Sequence, residues 1–452
     1  MSAPQALGVT VSAQEEPAGV PIADRDAALA YVASVCFKHG PPRLTGVELE
    51  WLVHHTDDPA RPLEPALLAR ALGAHAPPTL HPRPPADPLP DPAAPVEPAA
   101  LPRGGTVTVE PGGQVEIASA PATGLRELVE GVDADAAEIR RLLGAEGLGL
   151  GSRASDAWRP PRRLLDVPRY RAMEEVFDRI GPHGRTGMSS TAAVQVCVDA
   201  GEGPAVADRW SALHELGPVL TAAFANSPTA HGRETGWKSC RMASWLRLDP
   251  ERTGPPALDG TDPARAWAER ALSTSVLCVR DEGGAWTVPV GVTFADWIDG
   301  RSVLPGRPTR ADLDYHLTTL FPPVRPHGHV EVRYLDQQAG DDWSVPVAVV
   351  VALLADPTVL DRARAAAAPT VGRWLDAARD GLTDPELARA AAEVLGLAHA
   401  ALGAVDAPPS LVERVGRFVE HRTLRGRSPA DDTLDDPTTP TLSTDLPDGG
   451  DR

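Results

Sequence analysis

Lysine is nearly absent from this chain of 452 residues, which contains only Lys38 and Lys238. Any clamp for a phosphate or carboxylate group must therefore be built mainly from arginine, whose planar guanidinium suits bidentate contacts. A basic excess is also missing, because 62 acidic residues outnumber 43 lysines and arginines and give a net charge of −19. This balance argues against nucleic acid or an anionic membrane as the main partner.

Cysteines and long apolar runs are scarce as well. The four cysteines lie far apart, with no CxxC pair and no Cys/His cluster at zinc spacing. No stretch approaches the roughly 18 apolar residues of a membrane span, and no basic segment followed by an apolar run opens the chain. We therefore expect a cytoplasmic protein that contacts no membrane and keeps its thiols reduced.

Three segments have compositions that do not favour packed structure. Residues 1–22 are polar and rich in Ala, Pro and Gln, and the acidic tail 428–452 is rich in Asp, Thr and Pro, so both are predicted to be disordered. Residues 76–102 are rich in proline, which removes backbone donors and fixes φ, and this predicts a stiff, exposed insertion. A folded domain is expected over residues 23–427.

Four segments alternate apolar and polar residues, as half-buried strands do. Each carries at least one acid on its polar face, opposite valine or leucine. Patterns with helical spacing separate them, for example from Leu125 to Leu143 and after the N-cap residue Asp384. The pattern predicts an α+β fold in which helices cover the apolar face of a curved, largely antiparallel sheet. The four segments are residues 46–53, 107–119, 193–199 and 329–336.

The acids on these polar faces predict a metal site. Carboxylates gathered on one sheet surface repel one another, so a cation is expected among them. Hard oxygen ligands with no His or Cys nearby favour Mg²⁺. Acids on a single strand would be explained more simply as a solvent face, but acids on four strands favour the metal. The residues are Glu48, Glu50, Glu110, Glu116 and Glu331.

Common nucleotide-binding and hydrolase motifs are missing from the sequence. There is no GxxxxGK[ST] phosphate loop, and GLGLGS at residues 147–152 lacks the GxGxxG spacing. No GxSxG motif occurs either, and the histidines have no obvious nucleophile as partner. Nucleotide binding by a P-loop or Rossmann unit is therefore not expected.

Nine short motifs occur in the order seen in the glutamate–cysteine ligases of plants and bacteria. They are GVELE, EPGGQVE, RYRAMEEVF, STAAVQVCVD, AFANSP, CRMASW, LDPERTG, HLTTLFPPVR and VEVRYLD. From about Val35 to Trp343 the chain resembles that family, and the ending GRSPADD is most similar to its ergothioneine-pathway branch. The resemblance implies a glutamine synthetase-like fold, in which a curved antiparallel sheet forms a funnel and residues 23–427 are the catalytic domain.

The resemblance also implies roles for individual residues. The five glutamates would hold Mg²⁺, and Arg333 would contact the transferring phosphoryl group. The substrate-binding residues would be Arg241, Trp245, Gln114 and Gln195, and Arg252 of DPERTG would contact ATP. The chain departs from the family pattern in two places, since the family usually has Asn in place of Cys197 and a Gly-Ala-like pair in place of Tyr334 and Leu335. These departures leave the details of the cysteine pocket open.

The implied function is ATP- and Mg²⁺-dependent ligation. The side-chain carboxylate of L-glutamate would become a γ-glutamyl phosphate, the amine of L-cysteine would attack it, and the product would supply ergothioneine biosynthesis. The acids define the reaction class but not the acceptor, so a different amine or amino acid remains an alternative. A non-catalytic binding protein that kept the fold is another, although five intact acids favour the enzyme. The oligomeric state is left open.

Overall fold

The computed structural model describes residues 19–80, 98–281 and 286–432. Most of the segments predicted to be disordered or exposed, residues 1–18, 81–97 and 433–452, lie outside the described residues. The described part is a mixed fold of α-helices and antiparallel sheet, as the alternating pattern predicts.

The strands form one large sheet and two small two-stranded sheets, β2 with β5 and β7 with β8. The large sheet has the order β3-β4-β1-β6-β10-β9, and every neighbouring pair in it is antiparallel. The strands are β1 Thr45–Trp51, β2 Val53–His55, β3 Thr106–Val109, β4 Val115–Ala118, β5 Leu148–Leu150, β6 Ala193–Val198, β7 Thr229–Ala230, β8 Arg233–Glu234, β9 Val324–Pro326 and β10 Val330–Asp336.

Helices make up most of the remaining chain, and α3, α7 and α13 contact the sheet. The α-helices are α1 Arg25–Cys36, α2 Pro65–Leu72, α3 Leu125–Ala145, α4 Pro168–Ile180, α5 His183–Ser189, α6 Ala205–Glu215, α7 Gly217–Ala223, α8 Cys240–Leu248, α9 Pro250–Thr253, α10 Pro263–Ser273, α11 Phe294–Ile298, α12 Arg310–Leu317, α13 Ser344–Ala355, α14 Pro357–Ala367, α15 Trp374–Asp380, α16 Pro385–Ala401, α17 Pro409–His421 and α18 Pro429–Asp432.

The sheet has one apolar face and one polar face. Val47, Leu49 and Trp51 of β1 are buried in the main core, and the glutamates between them point to the opposite side. In β10 the register shifts between Val332 and Leu335. Alternation places Arg333 on the polar face and Tyr334 in the core, and the bulge re-aims Leu335 so that it is buried in the core as well.

One of the core helices, α16, has a clear cause in the sequence. Helix α16 begins at Pro385 because the carboxylate of Asp384 accepts hydrogen bonds from the amides of Glu386 and Leu387, as the N-cap pattern predicts. With the short turn that follows, this helix is long and apolar enough to cross a membrane by composition. It packs against α7, α13 and α14 through its buried alanines and leucines, so it is a core helix here.

The structure corrects the predicted domain edges. Ile22 is buried and its amide donates to the carbonyl of Pro308, so ordered structure begins before residue 23. Ser428 is also buried, and α18 follows it where the sequence predicts disorder. Leu80 and Leu101, at the two ends of the proline-rich segment, are buried rather than exposed. Composition cannot reveal a contact such as that of Ile22 with Pro308, because the partner is distant in sequence.

Candidate active site

A cavity of about 320 Å³ lies between the polar face of the large sheet and helices α4, α5 and α8. It contains nine of the eleven residues that the sequence predicts for the site, and leaves out Glu331 and Arg252. Those that line it are Glu48, Glu50, Glu110, Gln114, Glu116, Gln195, Arg241, Trp245 and Arg333.

Strand register brings the acids together. Glu50 of β1 lies directly opposite Glu116 of β4, and Glu48 lies opposite Gln195 of β6. Glu110 is in the turn that joins β3 to β4. Gly112 of that turn must be glycine, because a Cβ would lie 2.1 Å from the carbonyl oxygen of Ser189. The β3–β4 hairpin and strand β1 thus direct four carboxylates into one space.

The surroundings of the four cavity carboxylates disfavour their charged form and raise the pKa of each. Burial is the main cause that raises the pKa of Glu48 to about 7, and repulsion from Glu331 adds to it. Burial and repulsion from Glu50 likewise raise the pKa of Glu110 to about 7. Burial also raises the pKa of Glu50, and raises that of Glu116 well above its ordinary value. Within the described residues, the Glu48 and Glu110 carboxylates make no hydrogen bond or ion pair. Such a cluster of hard oxygen atoms fits Mg²⁺.

The carboxylates do not yet form a finished coordination shell. No three His, Cys, Asp or Glu side chains in the described part of the chain are close enough to hold one ion together. Glu50 instead accepts hydrogen bonds from the Ala193 amide and the Gln195 side chain, and Glu116 accepts one from Thr108. Mg²⁺ commonly takes only one or two protein carboxylates and completes its shell with waters and phosphate oxygens. The donor set therefore remains suitable for Mg²⁺.

The Glu331 carboxylate is paired with two arginine side chains. Its carboxylate accepts hydrogen bonds from Arg325 at 2.7 and 3.2 Å and from Arg333 at 2.5 Å. Burial alone would raise the pKa of Glu331, but the two arginines outweigh it and lower the pKa to about 2. In this arrangement Glu331 is a counter-ion that aligns both guanidinium groups. Its role as a metal ligand stays a prediction.

Arg252 lies in a buried network of its own, and its expected contact with ATP stays a prediction. Its guanidinium is buried outside the cavity and pairs with Asp249 at 3.2 Å. It also donates to the carbonyl and hydroxyl of Thr319 and to the carbonyl of Ser275. Arg252 therefore ties α9 to two distant loops, and these partners have no signal in the motif DPERTG.

The two glutamines differ in how much of their polar capacity remains. The side-chain amide of Gln114 donates to the carbonyls of Met188 and Thr191 and accepts from the Gly112 amide, so it fixes the cavity wall. Gln195 donates to Glu50, while its side-chain oxygen is buried with no partner among the described residues. Gln195 is the one of the two that retains an acceptor.

Several cavity residues had no role assigned from sequence. Arg169 lines the cavity, donates twice to Thr318 at 2.9 Å, and lies over the ring of Tyr315. Arg325 lines it next to Glu331. Both lie within recognised motifs, RYRAMEEVF and HLTTLFPPVR, but outside the alternating part of a strand that shows which way a side chain points. Cys197, by contrast, lies in register with Glu331 and does not line the cavity.

One wall of the cavity is apolar and rich in sulfur. The sequence has four methionines, and all three after the first residue, Met173, Met188 and Met242, line this cavity. Trp245 is half-buried beside them and packs on Phe321 with ring centroids 5.6 Å apart. The cavity therefore joins an acidic wall, an arginine cluster and an apolar wall.

Comparison with known proteins agrees with this geometry. The model of glutamate–cysteine ligase family 2 matches residues 44–444. The glutamate–cysteine ligase EgtA of Mycobacterium tuberculosis is 39% identical over 425 residues, 93% of this chain and 92% of the relative. EgtA of Mycolicibacterium smegmatis is 44% identical over 341 residues, 74% of this chain and 78% of the relative.

More distant relatives share part of the sequence or only the fold. The chloroplastic glutamate–cysteine ligase of Brassica juncea is 31% identical over 268 residues, 56% of this chain and 51% of the relative. The solved glutamate–cysteine ligase of Francisella tularensis, in complex with AMP, is 12% identical. It has a TM-score of 0.50, with 88% of this chain and 85% of that chain covered, and it shows the fold alone. On the family match and the two mycobacterial relatives, the chain belongs to glutamate–cysteine ligase family 2.

Proposed function

We propose that this protein joins the side-chain carboxylate of L-glutamate to the amine of L-cysteine, using ATP and Mg²⁺, and that the product feeds ergothioneine biosynthesis. The observation that carries the proposal is the cavity, in which four carboxylates and four arginines meet beside an apolar wall. The two mycobacterial relatives, both glutamate–cysteine ligases, support it. The solved Francisella enzyme of the same fold is in complex with AMP, which supports an adenine nucleotide as a co-substrate here.

Glu48, Glu50, Glu110 and Glu116 are the residues that would hold Mg²⁺. Their raised pKa values show that negative charge is held there at a cost, which a divalent cation would offset. Bound Mg²⁺ would supply charge neutralisation on the transferring phosphoryl oxygens. Glu331 would assist either as a further ligand or through the two arginines that it aligns.

The arginines would act on the anionic substrates. Arg333 is anchored by Glu331 on one side and lines the cavity with the rest of its guanidinium, so it would contact the transferring phosphoryl group. One well-placed donor of this kind contributes about 3 to 4 kcal/mol to transition-state stabilisation. Arg241 would hold a substrate carboxylate, with Arg169 as a further cation in reach of the same cavity.

The chemistry requires activation of the carboxylate. A carboxylate does not condense with an amine in water, so the γ-carboxylate of glutamate first takes the γ-phosphoryl group of ATP and ADP leaves. The cysteine nitrogen then bonds to the acyl carbon, the bond from that carbon to the phosphate oxygen breaks, and the amine loses its proton. Exclusion of water around the bound substrates would limit hydrolysis of the γ-glutamyl phosphate.

The apolar wall supports cysteine as the acceptor. A thiol packs well against methionine and aromatic side chains such as Met173, Met188 and Trp245. The hydroxyl of serine would lose its hydrogen bonds to water on the same wall, which costs about 1 to 3 kcal/mol. This difference favours cysteine over an acceptor of the same shape with a hydroxyl.

An acceptor panel tests the proposal. The protein is incubated with ATP, MgCl₂ and glutamate, together with cysteine, serine, alanine or 2-aminobutyrate, and products are identified by mass and by phosphate release. We expect γ-glutamylcysteine as the main product and little γ-glutamylserine. Efficient use of another amine would support the alternative acceptor, and no phosphate release with any amine would support a non-catalytic binding protein.

A further inference from the structure

The end of strand β10 carries a buried carboxylate that lies behind the cavity. Asp336 is 2% exposed and does not line the cavity. Its Oδ2 accepts hydrogen bonds from the amide of Asn226 at 2.8 Å and the hydroxyl of Ser227 at 2.7 Å. Its Oδ1 accepts one from the hydroxyl of Ser239 at 2.9 Å. Two other chain segments therefore converge on this one side chain.

The same carboxylate faces Arg241. Nη1 of Arg241 lies 3.6 Å from Oδ1 of Asp336, and Nη2 donates to the carbonyl of Arg333 at 2.6 Å. Ser227 and Ser239 contribute a second time, because Ser227 accepts from the Arg241 amide and Ser239 caps α8 by accepting from the Met242 amide. The backbone and the side chain of Arg241 are thus both fixed relative to Asp336.

The Nε atom of the Arg241 guanidinium is left without a partner among the described residues, and Nη2 keeps a second hydrogen beside the one that it donates to the Arg333 carbonyl. The Nε atom is also buried. Elsewhere in this protein, as in Arg325 with Glu331, the edge formed by Nε and Nη2 grips a carboxylate with two bonds. The same edge of Arg241 can therefore take a substrate carboxylate, provided that the opposite end of the guanidinium is held in place.

Charge supports the same arrangement. Burial lowers the pKa of Arg241, and Asp336 and then Glu50 oppose that change. Burial raises the pKa of Asp336, and Arg241 opposes the rise together with the hydrogen bonds from Asn226, Ser227 and Ser239. Arg241 accordingly lies between an acid behind the cavity and an acid inside it.

We propose that Asp336 is a positioning residue, which fixes the orientation of Arg241 so that its Nε edge grips the carboxylate of an amino-acid substrate. The proposal rests on the proposed function, in which Arg241 holds that carboxylate. Asp336 touches no substrate, and its effect passes entirely through Arg241.

Steady-state kinetics of the full chain test this proposal. Asp336→Asn keeps the shape of the side chain and removes its charge, and we expect the KM for glutamate or cysteine to rise about tenfold, with the KM for ATP changed less than about twofold. Ser227→Ala, which removes one donor and keeps the carboxylate, is expected to raise the same KM by a smaller factor. Asp135→Asn is a matched control, since Asp135 is equally buried and accepts from the amides of Arg103 and Gly105, far from the cavity.

A double-mutant cycle separates positioning from general stabilisation. If Asp336 acts through Arg241, adding Asp336→Asn to Arg241→Gln lowers kcat/KM by less than about twofold further. Independent, multiplicative losses, or an unchanged amino-acid KM in both Asp336→Asn and Ser227→Ala, would overturn the proposal. Failure of the parent protein to ligate glutamate to any amine would instead contradict the proposed function.

Discussion

At the scale of single residues, the cavity glutamates and Arg252 illustrate two opposite uses of a buried charge. Glu48 is partly buried, raised in pKa and without a hydrogen-bond partner in the described part of the chain, so the fold is less stable for having it. Arg252 is buried and fully paired, so the fold depends on it. Substitutions at the two positions should therefore affect stability and activity in opposite ways.

Replacing Glu48 should impair catalysis without unfolding the protein. Glu48→Gln removes a charged ligand, so we expect kcat/KM at limiting Mg²⁺ to fall by about a hundredfold or more. Without Mg²⁺ the melting temperature should stay the same or rise, because one repelling carboxylate is gone, and added Mg²⁺ should stabilise the variant less than the parent. Glu130→Gln, at an exposed position on α3, is the control. Near-normal activity of Glu48→Gln would contradict the metal assignment.

Replacing Arg252 should impair stability without weakening nucleotide binding. Lysine at this position keeps the charge but cannot reach Asp249, Thr319 and Ser275 together. We expect Arg252→Lys to lower the free energy of unfolding by about 2 to 4 kcal/mol and to leave the KM for ATP within about twofold. Denaturant unfolding and ATP kinetics measure both, with the exposed Arg265→Lys as control. A tenfold rise in the KM for ATP at unchanged stability would restore the expected cofactor role.

Sequence could predict a residue's place in the site where apolar and polar residues alternate along a strand, because the alternation shows which way each side chain points. Glu48, Glu50 and Gln195 point into the cavity because their apolar neighbours Val47, Leu49 and Val194 must point away from it. Arg252 and Glu331 are different cases, since their roles depend on what lies beside them. Arg252 binds Thr319, 67 residues away in sequence, and no local pattern reveals that pairing. Glu331 pairs with Arg325 and Arg333, which are close in sequence, but alternation does not show that these arginines occupy its carboxylate.

At the scale of elements, the strands follow from alternation but the bulge in β10 and the short helix α18 do not. A strict period of two would keep Tyr334 on the face opposite Arg333 and Leu335 on the same face as Arg333. The register shift instead buries both Tyr334 and Leu335, each with no exposed surface, because the core behind the sheet accepts them.

Helix α18 is held in place by contacts with residues that are distant in sequence. Asp431 pairs with Lys238 at 2.5 Å, and the amide of Ala430 donates to the carbonyl of Ala225.

Two truncations of the C-terminus separate the packed part from the remainder. Removing residues 433–452 should leave activity and the free energy of unfolding nearly unchanged, because the acidic composition offers little apolar surface to bury. Removing residues 428–452 also deletes buried Ser428 and the Lys238–Asp431 pair, and should lower the free energy of unfolding by about 2 kcal/mol or more. Equal stability of the two truncated proteins would show that α18 contributes nothing.

At the scale of the whole molecule, the scarcity of lysine in the composition is matched by a cavity whose cations are all arginines. A chain with two lysines places four arginines, Arg169, Arg241, Arg325 and Arg333, around one cavity, and neither lysine lines it. The strong net negative charge of the protein coexists with this local cluster of cations, which lies beside the four carboxylates. Anionic substrates are therefore attracted at the cavity and not by the surface as a whole.

Chemical modification of arginines should affect activity, and modification of lysines should not. An arginine reagent such as phenylglyoxal should inactivate the protein, and ATP with glutamate should slow the inactivation by covering the cavity arginines. Reductive methylation of the lysines should leave most of the activity, since Lys238 pairs with Asp431 and neither lysine lines the cavity. Inactivation by lysine methylation, or no protection from phenylglyoxal by substrates, would contradict the arginine assignment.

The central claim is that the cavity activates the side-chain carboxylate of glutamate by phosphorylation before cysteine attacks it. The most direct measurement uses glutamate labelled with ¹⁸O in that carboxylate, incubated with the parent protein, ATP, Mg²⁺ and cysteine, with both products analysed by mass. The account predicts γ-glutamylcysteine that has lost one labelled oxygen and inorganic phosphate that has gained it. Unlabelled phosphate, or no γ-glutamylcysteine at all, would contradict it.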